Sequence, residues 1–206
     1  MKMVWCPETA EKSYLDTVKQ LGRAKESSAA EFISAMAGGW KSKLIVEAWT
    51  NNNGAIASSI GLAIAAHHSG GRHVCIVPDE MSKREYISAM GSFCGRFLLP
   101  EIMVGDASVL LLERLPGIDF LVVDGHRKDV ARIFSFAKLS NLGAVVVCKN
   151  SNKSKFFGLR WNRFLSFLSS FSAAAKPATI LRSNFTCIIF YIHSAAFERV
   201  FLSSKS

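Results

Sequence analysis

The stretch from residue 43 to residue 66 constrains the fold most, because it combines an apolar run, a polar loop and a helix of small residues. The run Leu44-Ile45-Val46 ends in Glu47, and the loop Trp49-Thr50-Asn51-Asn52-Asn53-Gly54 follows it. The small residues from Ala55 to Ala66 then predict a helix. A strand, a loop and a helix N-terminus in this order form the nucleotide pocket of open α/β sheets. This loop, however, lacks the glycine series that such pockets normally contain.

Composition excludes several classes of protein. Half of the 206 residues are hydrophobic and a fifth are charged, which is typical of a globular domain and too apolar for disorder. No uninterrupted apolar stretch approaches the roughly 18 residues of a membrane span. The N-terminus carries polar residues too early for a signal peptide, so we expect a cytoplasmic or nuclear protein. The five cysteines are scattered without metal-binding spacing, which favours free thiols.

The net charge of +9 is concentrated in the C-terminal quarter of the chain. Residues 1–150 contain 17 Lys and Arg against 15 Asp and Glu, whereas residues 151–206 contain 8 against one, Glu198. A basic region of this kind attracts phosphates, acidic partners or anionic lipid headgroups.

Alternating strand and helix patterns continue along the chain. Two leading helices are predicted over Pro7–Leu21 and from Ser28 to Gly39. Val- and Ile-rich runs predict parallel strands that helices cover on both faces, and such strands form an open α/β sheet. After the first run, these strands are predicted over His73–Val77, Phe97–Val104, Ile118–Val123 and Leu142–Cys148. The intervening helices are predicted over Ser82–Phe93, from Ala107 through Leu112 and over Asp129–Leu139.

The end of the chain follows a different pattern. Aromatic and basic residues at helical spacing predict a helix within residues 152–175, and Ala178–Leu181 with Thr186–Ile192 predict a hairpin. We therefore expect a mostly parallel seven-stranded sheet with a C-terminal antiparallel hairpin and helices on both faces. Residues 1–206 form one predicted domain, with N-terminal helices at 7–39, a core at 43–150, and the basic helix and hairpin at 152–193.

This order of elements resembles the class I S-adenosylmethionine-dependent methyltransferase fold. The small O-methyltransferases that act on catechols and caffeoyl-type phenols are the most similar, over about residues 28–192. The segments Met1–Ala10, Met36–Trp40 and Arg72–Pro78 also resemble an uncharacterised plant family, a domain of unknown function placed in that superfamily. The resemblance implies a Rossmann-like methyltransferase fold and S-adenosylmethionine as the cofactor.

The resemblance implies a cofactor role for the loop after the first strand. Glu47 and Gly54 match the acid and one glycine of the family motif, but Trp49 stands where the first glycine is expected. Two alternatives are open for Trp49: its side chain occupies the methionine pocket, or it turns away and forms a wall. Asparagine tolerates left-handed backbone conformations, so the loop can still turn tightly.

Two further acids align with the cofactor motifs. The family places an acid after the second strand for the ribose hydroxyls, where this chain has Val77 with Asp79 two residues later. Asp79 either substitutes for that acid or forms a turn. Asp106 matches the acid on the adenine side, and its alternative role is a helix N-cap.

The strand that ends in Asp124 matches the strand whose terminal acid binds a divalent cation in metal-dependent relatives. The partner ligands there are an Asp-Asn pair, where this chain has Lys149-Asn150. An ammonium removes a hard oxygen ligand and repels Mg²⁺, so we expect no metal and predict that Lys149 pairs with Asp124. His126 is either a general base for the acceptor or a solvated loop histidine.

Two functions are compatible with these residues. The first is metal-independent methyl transfer to oxygen or nitrogen of a small molecule, with Asp124 and His126 facing the acceptor. The alternative is a non-catalytic binding module that uses a basic C-terminal face for a protein or RNA partner. A homodimer is compatible with either function.

Overall fold

The computed structural model describes residues 4–22, 28–51, 55–94, 99–150, 179–182 and 186–191. Within these ranges the helices are α1 (Pro7–Leu21), α2 (Ser28–Gly39), α3 (Ala55–Ser69), α4 (Glu80–Cys94), α5 (Ala107–Glu113) and α6 (Val130–Phe136). The strands are β1 (Leu44–Ala48), β2 (Arg72–Val77), β3 (Glu101–Val104), β4 (Pro116–Ile118), β5 (Phe120–Asp124), β6 (Lys138–Leu139), β7 (Ala144–Lys149), β8 (Thr179–Arg182) and β9 (Thr186–Tyr191).

Seven of these strands form the central sheet, in the order β3-β2-β1-β5-β7-β9-β8. Neighbouring strands from β3 to β7 are parallel, whereas β9 is antiparallel to both β7 and β8. The predicted α/β fold class, with its mostly parallel sheet and C-terminal hairpin, is therefore confirmed. Both leading helices also begin and end at the predicted residues.

The side chains of each strand alternate between two helical layers. On β1, Ile45 packs in a buried cluster with residues of α2 and α3, and the next residue, Val46, packs in a cluster with residues of α5 and α6. The α4 residue Tyr86 lies in a third cluster, together with residues of α3 and β2. Helices therefore cover both faces of the sheet, and side chains two residues apart on a strand share a layer.

Several predicted boundaries differ from the structure, and two of the differences have a local cause. The predicted strand over Ile118–Val123 is divided at Asp119, whose carboxylate Oδ2 accepts hydrogen bonds from the backbone N–H groups of Lys43 and Leu44 at 2.8 and 3.0 Å. The helix predicted to reach Leu139 ends at Phe136, because Ala137 adopts an extended conformation. The freed residues form β6, which pairs with β4 in a separate two-stranded sheet.

Several predictions concern residues outside the described part of the chain. The basic helix predicted within residues 152–175 and the loop glycine Gly54 are among them. Of the predicted strand from Phe97 to Val104, residues 101–104 form β3. Among the described residues, no helix combines the length and apolarity that a bilayer crossing requires.

Candidate functional site

The sheet has a topological switch point between β1 and β5. From β1 the chain proceeds to β2 and β3 on one side, whereas β5 lies on the other side and is followed by β7. Open α/β sheets bind ligands in the crevice at the carboxyl ends of the strands at such a point. The structure places Trp49 directly after β1, and it places Asp124 at the end of β5 with His126 beyond it. Asp79 and Asp106 follow the neighbouring strands β2 and β3.

Glu47 is fully buried on β1, and both of its carboxylate oxygens are bonded inside the protein. Its Oε1 accepts a hydrogen bond from the Nζ of Lys149 at 3.1 Å, and its Oε2 accepts one from the Oγ of Ser59 at 2.5 Å. Lys149 is buried as well. Its side chain extends from β7 across β5 to β1, where it forms a buried ion pair with Glu47.

His73 is a buried neutral histidine beside this ion pair. Its Nε2 lies 3.8 Å from Oε2 of Glu47, and neither ring nitrogen has a hydrogen-bond partner among the described residues. Burial lowers the pKa of His73 to about 4, although the negative charge of Glu47 acts in the opposite direction. At neutral pH the ring is therefore uncharged, and the cationic partner of Glu47 is Lys149.

Trp49 turns its side chain into the protein. The indole is buried and packs edge-on against Tyr86 of α4, with the ring centroids 5.4 Å apart. Its backbone N–H still donates to the carbonyl of Ile76 at 2.9 Å, so the β1–β2 pairing continues through this residue. The Trp49 side chain therefore belongs to the packing between α3 and α4.

Arg127 connects the loop after β5 with the end of β1, a role that the sequence analysis missed. Its Nη1 donates to the carbonyl oxygen of Trp49 at 3.0 Å, and its Nε and Nη2 donate to the two carboxylate oxygens of Asp129 at 2.8 and 2.7 Å. The Asp129 pair fixes the guanidinium in a bidentate geometry. The sequence signal for this connection was the Arg-x-Asp spacing directly after the Asp124 strand end.

Asp124 is fully buried and accepts hydrogen bonds from two amides. The backbone N–H of His126 donates to Oδ1 at 2.8 Å, and the side-chain amide of Asn150 donates to Oδ2 at 2.9 Å. The predicted Lys149–Asp124 pair was therefore wrong. Asn150 adopts a left-handed backbone conformation with φ of 57°, which directs its amide to Asp124, while the longer Lys149 side chain reaches Glu47.

His126 lies in the loop after β5, and its side chain is exposed to solvent. Its side chain is 67% exposed, and its Nδ1 lies 3.3 Å from Oδ1 of Asp124. A carboxylate next to one ring nitrogen fixes the orientation of the imidazole and leaves the other nitrogen for a second contact. This geometry is compatible with a general base, and that role of His126 stays a prediction.

Asp79 and Asp106 both cap helices. The Oδ1 of Asp79 accepts a hydrogen bond from the backbone N–H of Ser82 at 2.7 Å, and this bond lowers the pKa of the carboxyl group. Asp106 caps α5 through the N–H of Ser108 at 2.9 Å and also contacts Arg132. Hydrogen bonds from the Ser108 and Arg132 side chains lower the pKa of Asp106 to about 2. The helix-cap alternative for Asp106 is therefore observed, and Asp79 caps a helix as well. Cofactor binding by either acid stays a prediction.

The residues at the end of β7 do not fit the divalent cation that the resemblance to metal-dependent methyltransferases implies. A lysine occupies the expected carboxylate position, and its ammonium is bonded to Glu47. A hard cation requires oxygen ligands, and Lys149 offers none. Within the described ranges, no group of three or more His, Cys, Asp or Glu side chains is arranged to hold a metal ion.

A family model described as a protein of unknown function, DUF1442, matches residues 1–177. The chain belongs to this family. The predicted membership of an uncharacterised family is thereby confirmed, and the plant origin stays a prediction. Among proteins with curated descriptions, none matches the sequence of this DUF1442 member.

Solved methyltransferase structures resemble this DUF1442 protein over most of its length. The O-methyltransferase from Bacillus cereus in complex with SAH is 20% identical, with a TM-score of 0.59, and the match covers 90% of each chain. A methyltransferase from Geobacter sulfurreducens is 18% identical, with a TM-score of 0.57, over 87% of this chain and 88% of that chain. The SAH-bound methyltransferase PaMTH1 from Podospora anserina is 15% identical, with a TM-score of 0.55, over 90% and 88%. At these identities the likeness shows the fold, which is a Rossmann-like methyltransferase fold.

Proposed function

We propose that this DUF1442 protein binds S-adenosylmethionine and its demethylated product at the carboxyl ends of β1 and β5. We further propose that it transfers a methyl group to oxygen or nitrogen of a small molecule without a metal. The observation that carries this proposal is the Asp124–His126 pair at the topological switch point, beside the loop after β1. The SAH-bound O-methyltransferase from Bacillus cereus has the same fold, which supports the choice of ligand.

Under this proposal, the residues near the cofactor have separate roles. Both carboxylate oxygens of Glu47 are bonded to Lys149 and Ser59, so its proposed role is to fix the end of β1 through these two partners. Arg127 holds the Trp49 carbonyl and thereby fixes the backbone that a ligand would approach. Asp79 and Asp106 lie at the ends of β2 and β3, on the side proposed for the ribose and the adenine.

We propose that Asp124 and His126 act on the methyl acceptor, which the site positions and from which His126 removes a proton. When bound, the cofactor supplies an electrophilic methyl group on a sulfonium sulfur. His126 would accept the proton of the acceptor hydroxyl or amine, and Asp124 would hold the imidazole through its contact with Nδ1. Correct placement of the acceptor accounts for most of the reduction in the activation barrier of such an in-line displacement.

Calorimetric titration of the full chain with S-adenosylmethionine and S-adenosylhomocysteine tests the binding step. We expect saturable heat and a rise in melting temperature with both ligands. Absence of heat and of a thermal shift at millimolar ligand would exclude the proposal.

For the chemical step, His126→Gln changes an exposed side chain, so it should preserve folding and ligand affinity while removing transfer to a hydroxyl acceptor.

A non-catalytic binding module is the second candidate, and two observations favour it. Trp49 packs in the core where the motif expects glycine, and Glu47 has both oxygens bonded within the protein. Residues 151–206 supply the basic charge for a protein or RNA partner. Binding of a single-stranded RNA probe that weakens steeply with salt would support this candidate, whereas its absence would leave protein partners.

A further inference from the structure

The side chain of Arg127 connects the carboxyl ends of β1 and β5. Arg127 follows Asp124, the last residue of β5, in the loop that leaves this strand. Its Nη1 donates to the carbonyl oxygen of Trp49, the residue directly after β1, at 3.0 Å. Because β1 and β5 are paired neighbours, these contacts place the guanidinium at the crevice where open α/β sheets bind ligands.

Asp129 holds this guanidinium in one orientation. The two carboxylate oxygens of Asp129 accept hydrogen bonds from Nε and Nη2 of Arg127 at 2.8 and 2.7 Å. The Arg127 side chain is only 12% exposed, so it packs against the protein instead of extending into solvent. A planar guanidinium that is held in this way keeps its remaining N–H groups in fixed directions. A ligand that binds to them therefore loses little affinity to side-chain ordering.

Two N–H groups of Arg127 have no acceptor within the part of the chain that the structure describes. A guanidinium has five N–H groups, and the contacts with Asp129 and Trp49 use three of them. Nearby acceptors, in contrast, already have donors. The Trp49 carbonyl accepts from Arg127, and both carboxylate oxygens of Asp124 accept from amides. The crevice thus offers a ligand directed donors, which suit a carboxylate because hydrogen bonds between charged groups are strong.

We infer that Arg127 binds the carboxylate in the amino-acid part of the adenosyl ligand. The inference rests on the proposed S-adenosylmethionine site and assigns one group of that ligand to one residue of this chain. Since Asp129 already offsets the charge of Arg127, the contact depends on directed hydrogen bonds and not on net charge. The ligand carboxylate therefore contributes to affinity through Arg127, whereas the ligand ammonium does not.

The test measures calorimetric dissociation constants for S-adenosylhomocysteine and two analogues. In one analogue hydrogen replaces the carboxylate, and in the other hydrogen replaces the amino group. The full-length proteins are the native chain, Arg127→Met, Arg127→Lys and the control Arg72→Met. Arg72 also forms an ion pair with a carboxylate, that of Glu101, but it is the first residue of β2 and lies at the opposite end of the strands.

We expect the native chain and Arg72→Met to bind S-adenosylhomocysteine about tenfold more tightly than its decarboxylated analogue. Arg127→Met should remove most of this difference. The deaminated analogue keeps the carboxylate, so it should lose affinity in Arg127→Met by the same factor as S-adenosylhomocysteine. Arg127→Lys keeps the positive charge, but one ammonium cannot replace all contacts of the guanidinium, and the difference should fall here as well. If Arg127→Met does not fold, Arg127→Lys decides the question.

The outcomes separate this inference from the function on which it rests. Equal affinity of the native chain for S-adenosylhomocysteine and its decarboxylated analogue would overturn the role of Arg127 and leave the proposed function standing. Equal weakening of these two ligands in Arg127→Met would also overturn it, because Arg127 would then only fix the backbone at Trp49. A native ratio in the folded Arg127 variants would have the same consequence. Failure of all three ligands to bind the native chain would overturn the proposed function and the inference together.

Discussion

Lys149 and Glu47 form a pair whose two charges depend on each other. Removing Lys149 leaves a buried carboxylate without a counter-charge, and an uncompensated buried charge typically lowers stability by about 3–5 kcal/mol. We therefore expect Lys149→Met to lower the free energy of unfolding by this amount in urea titrations. The double variant Glu47→Gln/Lys149→Met should recover most of the loss, because neither charge remains. A loss below about 1 kcal/mol in the single variant would contradict the burial of the pair.

His73 predicts a pH dependence of stability with a defined sign. Its pKa is about 4 in the folded protein and about 6.5 in an unfolded chain, so the unfolded chain binds the extra proton between these values. The free energy of unfolding should therefore fall as the pH decreases from 6.5 to 4, by about 3 kcal/mol from this residue. Above pH 6.5 the contribution of His73 should not change.

The measurement for His73 is a set of urea unfolding curves between pH 4 and pH 8. His73→Leu removes the titrating group from its buried site, and the stability of this variant should vary less across that window than the stability of the native chain. His67→Leu is the matched control, since His67 lies exposed at the end of α3. Equal pH profiles for the native chain and His73→Leu would disprove the assignment.

Sequence reasoning found most strand-end residues of the site but not their partners. Asp124 and His126 could be placed because they follow a strongly apolar strand, and parallel strands present their carboxyl ends at one edge. The partner of Lys149 could not be found in this way. Asp124 is its direct cross-strand neighbour, but a lysine side chain is long enough to pass β5 and reach Glu47. The competing donor, Asn150, depends on a left-handed backbone conformation that the sequence does not specify.

At the scale of elements, the packing of α2 against α3 depends on Gly61. A Cβ at this position would lie 2.8 Å from the carbonyl oxygen of Ala30 and 3.1 Å from the Cβ of Ser34. Since backbone atoms of α2 cannot easily move away, we expect Gly61→Ala to lower the free energy of unfolding by about 1–3 kcal/mol. Gly91→Ala is the matched control in α4, where an added Cβ meets nothing within 4 Å.

The control should change stability in the opposite direction. Alanine favours a helix over glycine, so Gly91→Ala should raise the free energy of unfolding by about 0.5–1 kcal/mol. Urea unfolding of both variants measures the two effects on the same scale. If Gly61→Ala were also stabilising, the close approach of α2 and α3 at this residue would be incorrect.

Elements with a long, regular pattern could be predicted, and those set by local competition could not. α1 and α2 were found because proline marks the start of α1, Gly22 follows its end, and Gly38-Gly39 form the end of α2. The end of α6 was missed because residues 137–139 fit a helical pattern equally well. Pairing of β6 with β4 decides that conformation, and a pairing of two or three residues leaves no periodic signal.

At the scale of the whole molecule, periodicity predicts the strands but not their order. Uninterrupted runs such as Ala144–Lys149 indicate burial on both faces, which is fulfilled by any interior strand. The resemblance to a methyltransferase fold predicted a mostly parallel seven-stranded sheet, and the structure supplies its order, β3-β2-β1-β5-β7-β9-β8. The position of the site depends on that order, because only the order makes β1 and β5 neighbours.

The C-terminal hairpin has a structural role that truncation can test. β9 pairs along the whole of β7, from Ala144 to Lys149, and β8 pairs with β9. A chain that ends at residue 178 would lose both strands and expose the apolar edge of β7, which is a template for association between chains. We expect this truncated chain to elute as large aggregates in size-exclusion chromatography with light scattering. A chain that ends at Tyr191 keeps both strands and should elute as the full chain does; identical behaviour of the two truncated chains would contradict the role of the hairpin.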